Sequence, residues 1–342
     1  MRSQRTLGIL ISLAIVLGAA SCSRSEEWKV QPNPKAKVEA AEVVQMIKAP
    51  VGGDYADPVA VPGQDRLLAV HDPPDDYRAL SLSSLVWISL DGHAEHLRLP
   101  RERACKGTDF GAPTALSRDA IGYHSTCLGN RAARDPDHVV RLWKYDIRTK
   151  RVSPLRPYSI ALGAWRFSVR RATNQLVIND GGGLYEHLLL LARSGPRRLQ
   201  VPVTRPGAPA FRPDGTAILA FDAVPQELDA KGIARATLPR RIYLYNLRTR
   251  QLHALTGLLD NVGPVAWSPS SNSLAFAAAE PGRAGLWVVD VRSGLLRLVF
   301  ADRNVQIATW LDSRRLAVAV SRQPHKAPHP PGIYILRLAF RG

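Results

Sequence analysis

Residues 241–247 (RIYLYNL) alternate apolar and polar side chains, and 285–291 (GLWVVDV) are rich in β-branched and aromatic ones. Both read as β-strands, whose side chains repeat every two residues. Each lies downstream of a similar phrase: FRPDGTAILAF at 211–221 and WSPSSNSLAF at 267–276. The shared order is strand, polar turn, strand, variable loop, strand, polar turn, strand. Asp91-Gly92, Asp214-Gly215 and Ser293-Gly294 stand where tight hairpins need residues that tolerate positive φ.

Four further copies of the unit are present. VPGQDRLLAVHD leads to SLVWISLDGHAEHLRLP, and LSRDAIGYHST to VVRLWKYDIRTKRVSPL. FSVRRATNQLVIND leads to GLYEHLLLLARSGPRRLQV, and WLDSRRLAVAVS to GIYILRLAF. The residues that open the first turn are Val61, Leu116, Phe167, Phe211, Trp267 and Trp310, spaced by 55, 51, 44, 56 and 43 positions. Four short antiparallel strands repeated at this spacing predict an all-β, six-bladed β-propeller. One such sheet cannot bury both faces alone, and stacking the sheets around an axis buries them. The sixth copy has only three strands, VQIATW, RLAVAVS and GIYILRL. The orphan segment EVVQMI at 42–47 is predicted to supply the fourth and close the ring. Loop-closure entropy grows slowly enough with length to permit this.

The phrases around Phe211-Pro213-Asp214-Gly215 and Trp267-Pro269 resemble the repeats of TolB-type β-propellers. The resemblance extends in pattern over 59–338 and is strongest over 207–300. Ser270-Ser271 replaces Asp-Gly in the fifth copy, and nothing matches the separate N-terminal domain of TolB itself. The resemblance implies a propeller and does not carry over the Tol-Pal partnership.

Residues 1–21 read as an export signal: Arg2 and Arg5 precede the uncharged run Leu7–Ala20, and small residues follow it. Ala19-Ala20-Ser21-Cys22 resembles the lipobox of bacterial lipoproteins. That implies a lipid on Cys22 and, with Ser23 after it, an outer-membrane lipoprotein on the periplasmic side of the envelope. Simple cleavage after Ala20, giving a secreted soluble protein, remains open. Residues 22–40, with Pro32 and Pro34, are predicted to form a flexible tether, and 41–342 the propeller. The formal charge of +17 falls by two when Arg2 and Arg5 leave, to +15. Such a surface attracts polyanions, and no nucleic-acid motif is present. Cys105 and Cys127 flank the first hairpin of the second copy on one face, so they are placed to pair in an oxidising compartment or to remain two separate thiols.

In each blade the first and third turns emerge on one face. Here those turns are short: PGQD, SRD, RRATN, RPDG, SPSSN and LDSR. The second loops and blade-to-blade links emerge on the other face and are long at 72–84, 126–139, 222–240 and 322–331. Variable loops on a rigid scaffold carry function, so the long-loop face is the expected binding face. Its candidate residues are Asp72, Asp75, Asp76 and Tyr77, Arg134 and His138, Arg235, and His325 and His329. Asp72, Asp75 and Asp76 lack the spaced carboxylates and glycine of a calcium loop. The prolines around His325 and His329 forbid the helix that would align them as metal ligands. No metal or cofactor is expected. No nucleophile elbow G-x-S-x-G occurs, and Gly181–Gly183 is not followed by the Lys-Ser/Thr of a phosphate loop. Two functional readings follow. One is a non-catalytic, exported, lipid-anchored propeller that binds a protein or an anionic envelope component. The other is a metal-dependent hydrolase or lactonase-like enzyme at the channel mouth.

Overall fold

The computed structural model describes residues 33–50, 53–73, 83–100, 107–128, 139–161, 166–180, 187–192, 195–229, 238–322, 328–340 and 342. Strands β1 (Ala36–Val38) and β2 (Glu42–Lys48) precede the first sheet. That sheet is β3 (Asp54–Ala60), β4 (Arg66–Asp72), β5 (Ser84–Ser89) and β6 (Ala94–His96). The second is β7 (Gly107–Ser117), β8 (Ala120–Leu128), β9 (Val139–Asp146) and β10 (Val152–Ala161). The third is β11 (Arg166–Arg170), β12 (Gln175–Asp180), β13 (His187–Ala192) and β14 (Gly195–Arg198). The fourth is β15 (Ala210–Phe211), β16 (Ile218–Ala223), β17 (Arg241–Asn246) and β18 (Leu252–Ala254), with the short helix α1 (Gln226–Asp229) after β16. The fifth is β19 (Ala266–Trp267), β20 (Ser273–Glu280), β21 (Arg283–Asp290) and β22 (Leu296–Phe300). The sixth is β23 (Val305–Trp310), β24 (Arg315–Val320) and β25 (Gly332–Arg337), completed by β2.

These are the six four-stranded antiparallel blades of a β-propeller. The innermost strands β3, β7, β11, β15, β19 and β23 touch their neighbours all the way round, so the ring is closed. The predicted closure is observed: Glu42 faces Arg337, Met46 faces Tyr334 and Lys48 faces Gly332. Ile47 is buried with Ile333, Ile335 and Ala317 between the sixth and first blades.

The middle strands depart from strict alternation. In β5, β16, β21, β24 and β25 the burial is nearly continuous, because a neighbouring blade covers each face. Leu68, Leu85, Phe221, Phe276, Trp287 and Leu316 are fully buried between blades. The outermost strands β6, β14 and β18 are short and mostly exposed, which limits edge-to-edge pairing.

Side chains stitch the inner strands together across blade boundaries. Ala60 N–H donates to Thr309 Oγ1 (3.3 Å), and Phe211 N–H to Ser168 Oγ (2.9 Å). The Trp267 indole donates to Ala210 O (3.0 Å), and the Trp310 indole to Ala266 O (3.1 Å).

The end of the expected tether is docked rather than loose. β1 adds to β22 in parallel and makes the fifth sheet five-stranded. Lys35 Nζ donates to Ser293 O (2.9 Å), and Arg297 Nε pairs with Glu39 Oε2 (3.0 Å). Asn33 N–H donates to Glu280 Oε1 (3.2 Å). Glu280 is buried, and burial raises its pKa.

Candidate functional site

On the short-turn face, carboxylate and amide side chains close the turns onto their own backbone. Asp146 Oδ1 accepts Thr149 N–H (2.7 Å), Asp290 Oδ1 accepts Ser293 N–H (2.7 Å) and Asp312 Oδ1 accepts Arg315 N–H (2.8 Å). Asn246 Oδ1 does the same for Arg248 N–H (2.9 Å), and Asp214 Oδ1 for Thr216 N–H (2.9 Å). These are Asx-type turns, in which the acid serves its own loop. Arg170 Nε also donates across to Gly215 O of the fourth blade (2.9 Å).

On the long-loop face several charged groups reach across blades. The clearest case is at the axis. β3 begins with Asp54-Tyr-Ala-Asp-Pro-Val-Ala, and β7 carries the related phrase Asp109-Phe-Gly-Ala-Pro-Thr-Ala. Both strands break register in the middle, between Ala56 and Val59 and between Gly111 and Thr114. Both breaks hold a residue at positive φ, Asp57 at 49° and Ala112 at 43°. A bulge re-aims the side chain it carries. In β3 it brings Asp57 Oδ1 to 2.5 Å from Arg166 Nη2 on the third blade, so that the ion pair spans past the second.

His124 on β8 lies beside this pair. Its register partner is Gly111, where a Cβ would stand 2.7 Å from His124 Nε2. The glycine thus makes room for the ring over the inner strand. Burial and then the Arg166 charge push the His124 pKa down to about 4, with Asp57 opposing. Its Nδ1 is buried and has no hydrogen-bond partner. The imidazole is therefore neutral at neutral pH and holds one unused ring nitrogen.

Three more carboxylates gather at the mouth. Ser83 joins two of them: its hydroxyl donates to Asp72 Oδ1 (2.5 Å) and its N–H to Asp109 Oδ1 (2.9 Å). Asp54 Oδ2 accepts Arg322 N–H (2.8 Å) from the sixth blade, and Asp54 Oδ1 is buried without a partner. Burial raises the pKa of Asp72, with the charges of Asp57, Asp109 and Asp54 adding to it, and burial likewise raises that of Asp109.

Away from the axis, Asp222, 4% exposed, pairs with Arg240, whose guanidinium also donates to Arg205 O. Arg205 Nη2 lies 2.5 Å from Asp229 Oδ1 on α1. Burial raises the Asp222 pKa, and the Arg240 charge opposes it. On the sixth blade His329 Nδ1 lies 2.9 Å from Asp302 Oδ2, with its ring 4.3 Å from that of Phe300. Asp302 is 2% exposed.

Of the residues singled out from sequence, Asp72 and His329 are described, in two separate clusters on the long-loop face. Asp75, Asp76, Tyr77, Arg134, His138, Arg235, His325, Cys22 and Cys105 lie outside the described residues. Cys127 is on β8, but its side chain also lies outside the described set. Sequence reasoning passed over Asp54, Asp57, Asp109, His124 and Arg166. The doubled Asp-aromatic-small-x-Pro phrase was the available signal for the first three. Among the described residues no three His, Cys, Asp or Glu side chains stand close enough together to hold a metal ion.

No protein-family profile and no curated protein matches this sequence. Solved structures do match in shape. An oligogalacturonate lyase in complex with manganese is 12% identical over 84% of this chain and 77% of that one, with a TM-score of 0.51. TolB from Acinetobacter baumannii is 11% identical over 84% of this chain, with a TM-score of 0.47. This chain spans 64% of that TolB structure's length. The similarity is one of fold. The chain is a six-bladed β-propeller. Within it, the axial mouth of the long-loop face joins groups from the first, second, third and sixth blades.

Proposed function

We propose that this chain is an exported, lipid-anchored β-propeller of the cell envelope that binds a protein or an anionic envelope component and does no chemistry of its own. Binding uses the long-loop face. One observation carries this reading. At the axial mouth of the long-loop face, carboxylates of the first two blades are held in place by groups from several blades: Asp57 by Arg166, Asp54 by the Arg322 N–H, and Asp72 and Asp109 by Ser83. Such groups are fixed before any partner arrives, which lowers the entropy lost on binding. The net positive charge favours an anionic partner and speeds encounter with it. Lipidation of Cys22 and an outer-membrane, periplasmic-side location belong to the same proposal.

A metal-dependent hydrolase or lactonase-like enzyme at the channel mouth is the competing reading, and the raised pKa values of Asp72 and Asp109 there are the observation that favours it. One experiment separates the two. The anchored protein is captured from its native membrane, with a version shortened within 222–240 as comparison. Co-purification of one envelope component, lost on shortening the loop, is the expected result. Stoichiometric metal with no co-purifying component would overturn the binding reading.

A further inference from the structure

A second site lies on the opposite face, between the second and third blades. The inner strands end differently from blade to blade: in Ala60, Ala115 and Val169 in the first three, opposite Leu67, Ile121 and Leu176, and in a ring in the last three. In the fourth, fifth and sixth blades the inner strand ends in a ring that pairs with the second strand: Phe211 with Leu219, Trp267 with Leu274, Trp310 with Leu316. These rings are buried between blades, and both indoles donate to the preceding blade's backbone. In the third blade the pairing that corresponds is Val169 with Leu176. Sequence spacing pointed to Phe167 as this blade's turn-opening residue. The register places Phe167 two positions earlier, opposite Ile178.

Phe167 is buried with its ring against Gly122 of the second blade, and Val169 beyond it is left only partly buried. A crevice of about 870 Å³ opens there on the short-turn side. Leu116, Leu155 and Val169 wall it, and all three are only partly buried. Arg118, Lys144 and Arg171 stand around it, and no Asp or Glu lines it. Arg118 leans on Asp119 at 3.1 Å, an exposed pair that contributes little. The Lys144 charge acts on the Asp146 carboxylate of the neighbouring turn, and Arg171 stands at the rim. The volume falls in the range of small-molecule sites, roughly 300–1,000 Å³.

We propose that this crevice binds a single-chain anionic amphiphile: an acyl chain against Leu116, Leu155 and Val169, with its carboxylate or phosphate head between Lys144 and Arg171. The apolar wall and the cations beside it call for those two parts in one ligand. The site is independent of the long-loop face and stands or falls without it.

The test is photolabelling of the exported protein with a diazirine derivative of laurate, read by peptide mass spectrometry. Label is expected on peptides within 116–176. Val169→Trp, which fills the crevice, should cut that label at least tenfold, and so should the surface variant Lys144→Glu/Arg171→Glu. The methyl ester of the probe, which keeps the chain and loses the charge, should label at least tenfold less. Unlabelled laurate should compete, and dodecyl phosphate should compete in the same way. If Val169→Trp fails to fold, the double charge variant decides alone. Label outside 116–176, no label, or equal labelling by acid and methyl ester would overturn the proposal.

Discussion

Gly111 and His124 show how one residue without a side chain sets the chemistry of its neighbour. The glycine lets the imidazole lie over the inner strand, where burial and Arg166 hold it neutral. Nothing local in YHST marks this histidine, because its neighbours Asp57 and Arg166 come from other blades. Asp57 was hidden for a related reason. A bulge changes which face a side chain takes, and strict alternation cannot foresee one. The depressed His124 pKa has a definite sign. Above the ordinary histidine value of 6.5 neither folded nor unfolded chain protonates this ring. Below it the unfolded chain takes a proton that the folded chain refuses until about 4. Stability therefore falls across that window, by up to about 3 kcal/mol from this ring. Urea unfolding at pH 7, 5.5 and 4.5 should show a shallower acid loss in His124→Gln than in the parent. Asp72 and Asp109, with raised pKa values, act in the opposite direction in both proteins and cancel in the comparison. Equal slopes would contradict the placement of His124.

Among the elements, the inner strands show both what pattern reveals and what it misses. The aromatic-turn-strand phrase located all six hairpins, because hydrophobic period and turn residues are local properties. It missed the two-residue offset in the third blade, where Phe167 attracted the alignment and Val169 took the structural position. It also missed β1, whose partner β22 is far away in sequence and whose own three residues are mostly exposed. The terminal rings should carry measurable stability. Trp310 is 5% exposed and donates to Ala266 O. Trp310→Phe, which keeps a ring and loses the N–H, should cost about 1 kcal/mol in urea unfolding. Trp310→Val, which imitates the third blade, should cost about 3 kcal/mol. Similar losses for the two would mean that the indole does not fill the blade boundary.

At the scale of the molecule, both proposed sites depend on the ring being closed in one way. The axial mouth exists only if the first and third blades flank the second around the channel and the sixth meets the first. The division into a short-turn face and a long-loop face exists only if every blade runs in the same sense. The closing strand was legible in the sequence because the sixth copy stopped one strand short while an apolar segment near the start had no copy of its own. The contents of the mouth were not legible, since they come from four blades and no local pattern joins them. Closure can be read directly at Glu42 and Arg337, register partners joined by an exposed ion pair at 3.1 Å. Facing residues of an antiparallel pair lie about 4.5–5.5 Å apart at Cα, within reach of a disulfide. Glu42→Cys with Arg337→Cys, beside each single variant, should give an intramolecular 42–337 disulfide on mild oxidation, seen as a linked peptide by mass spectrometry. Absence of that link, with both new thiols still free to react with a labelling reagent, would contradict the closed six-bladed ring.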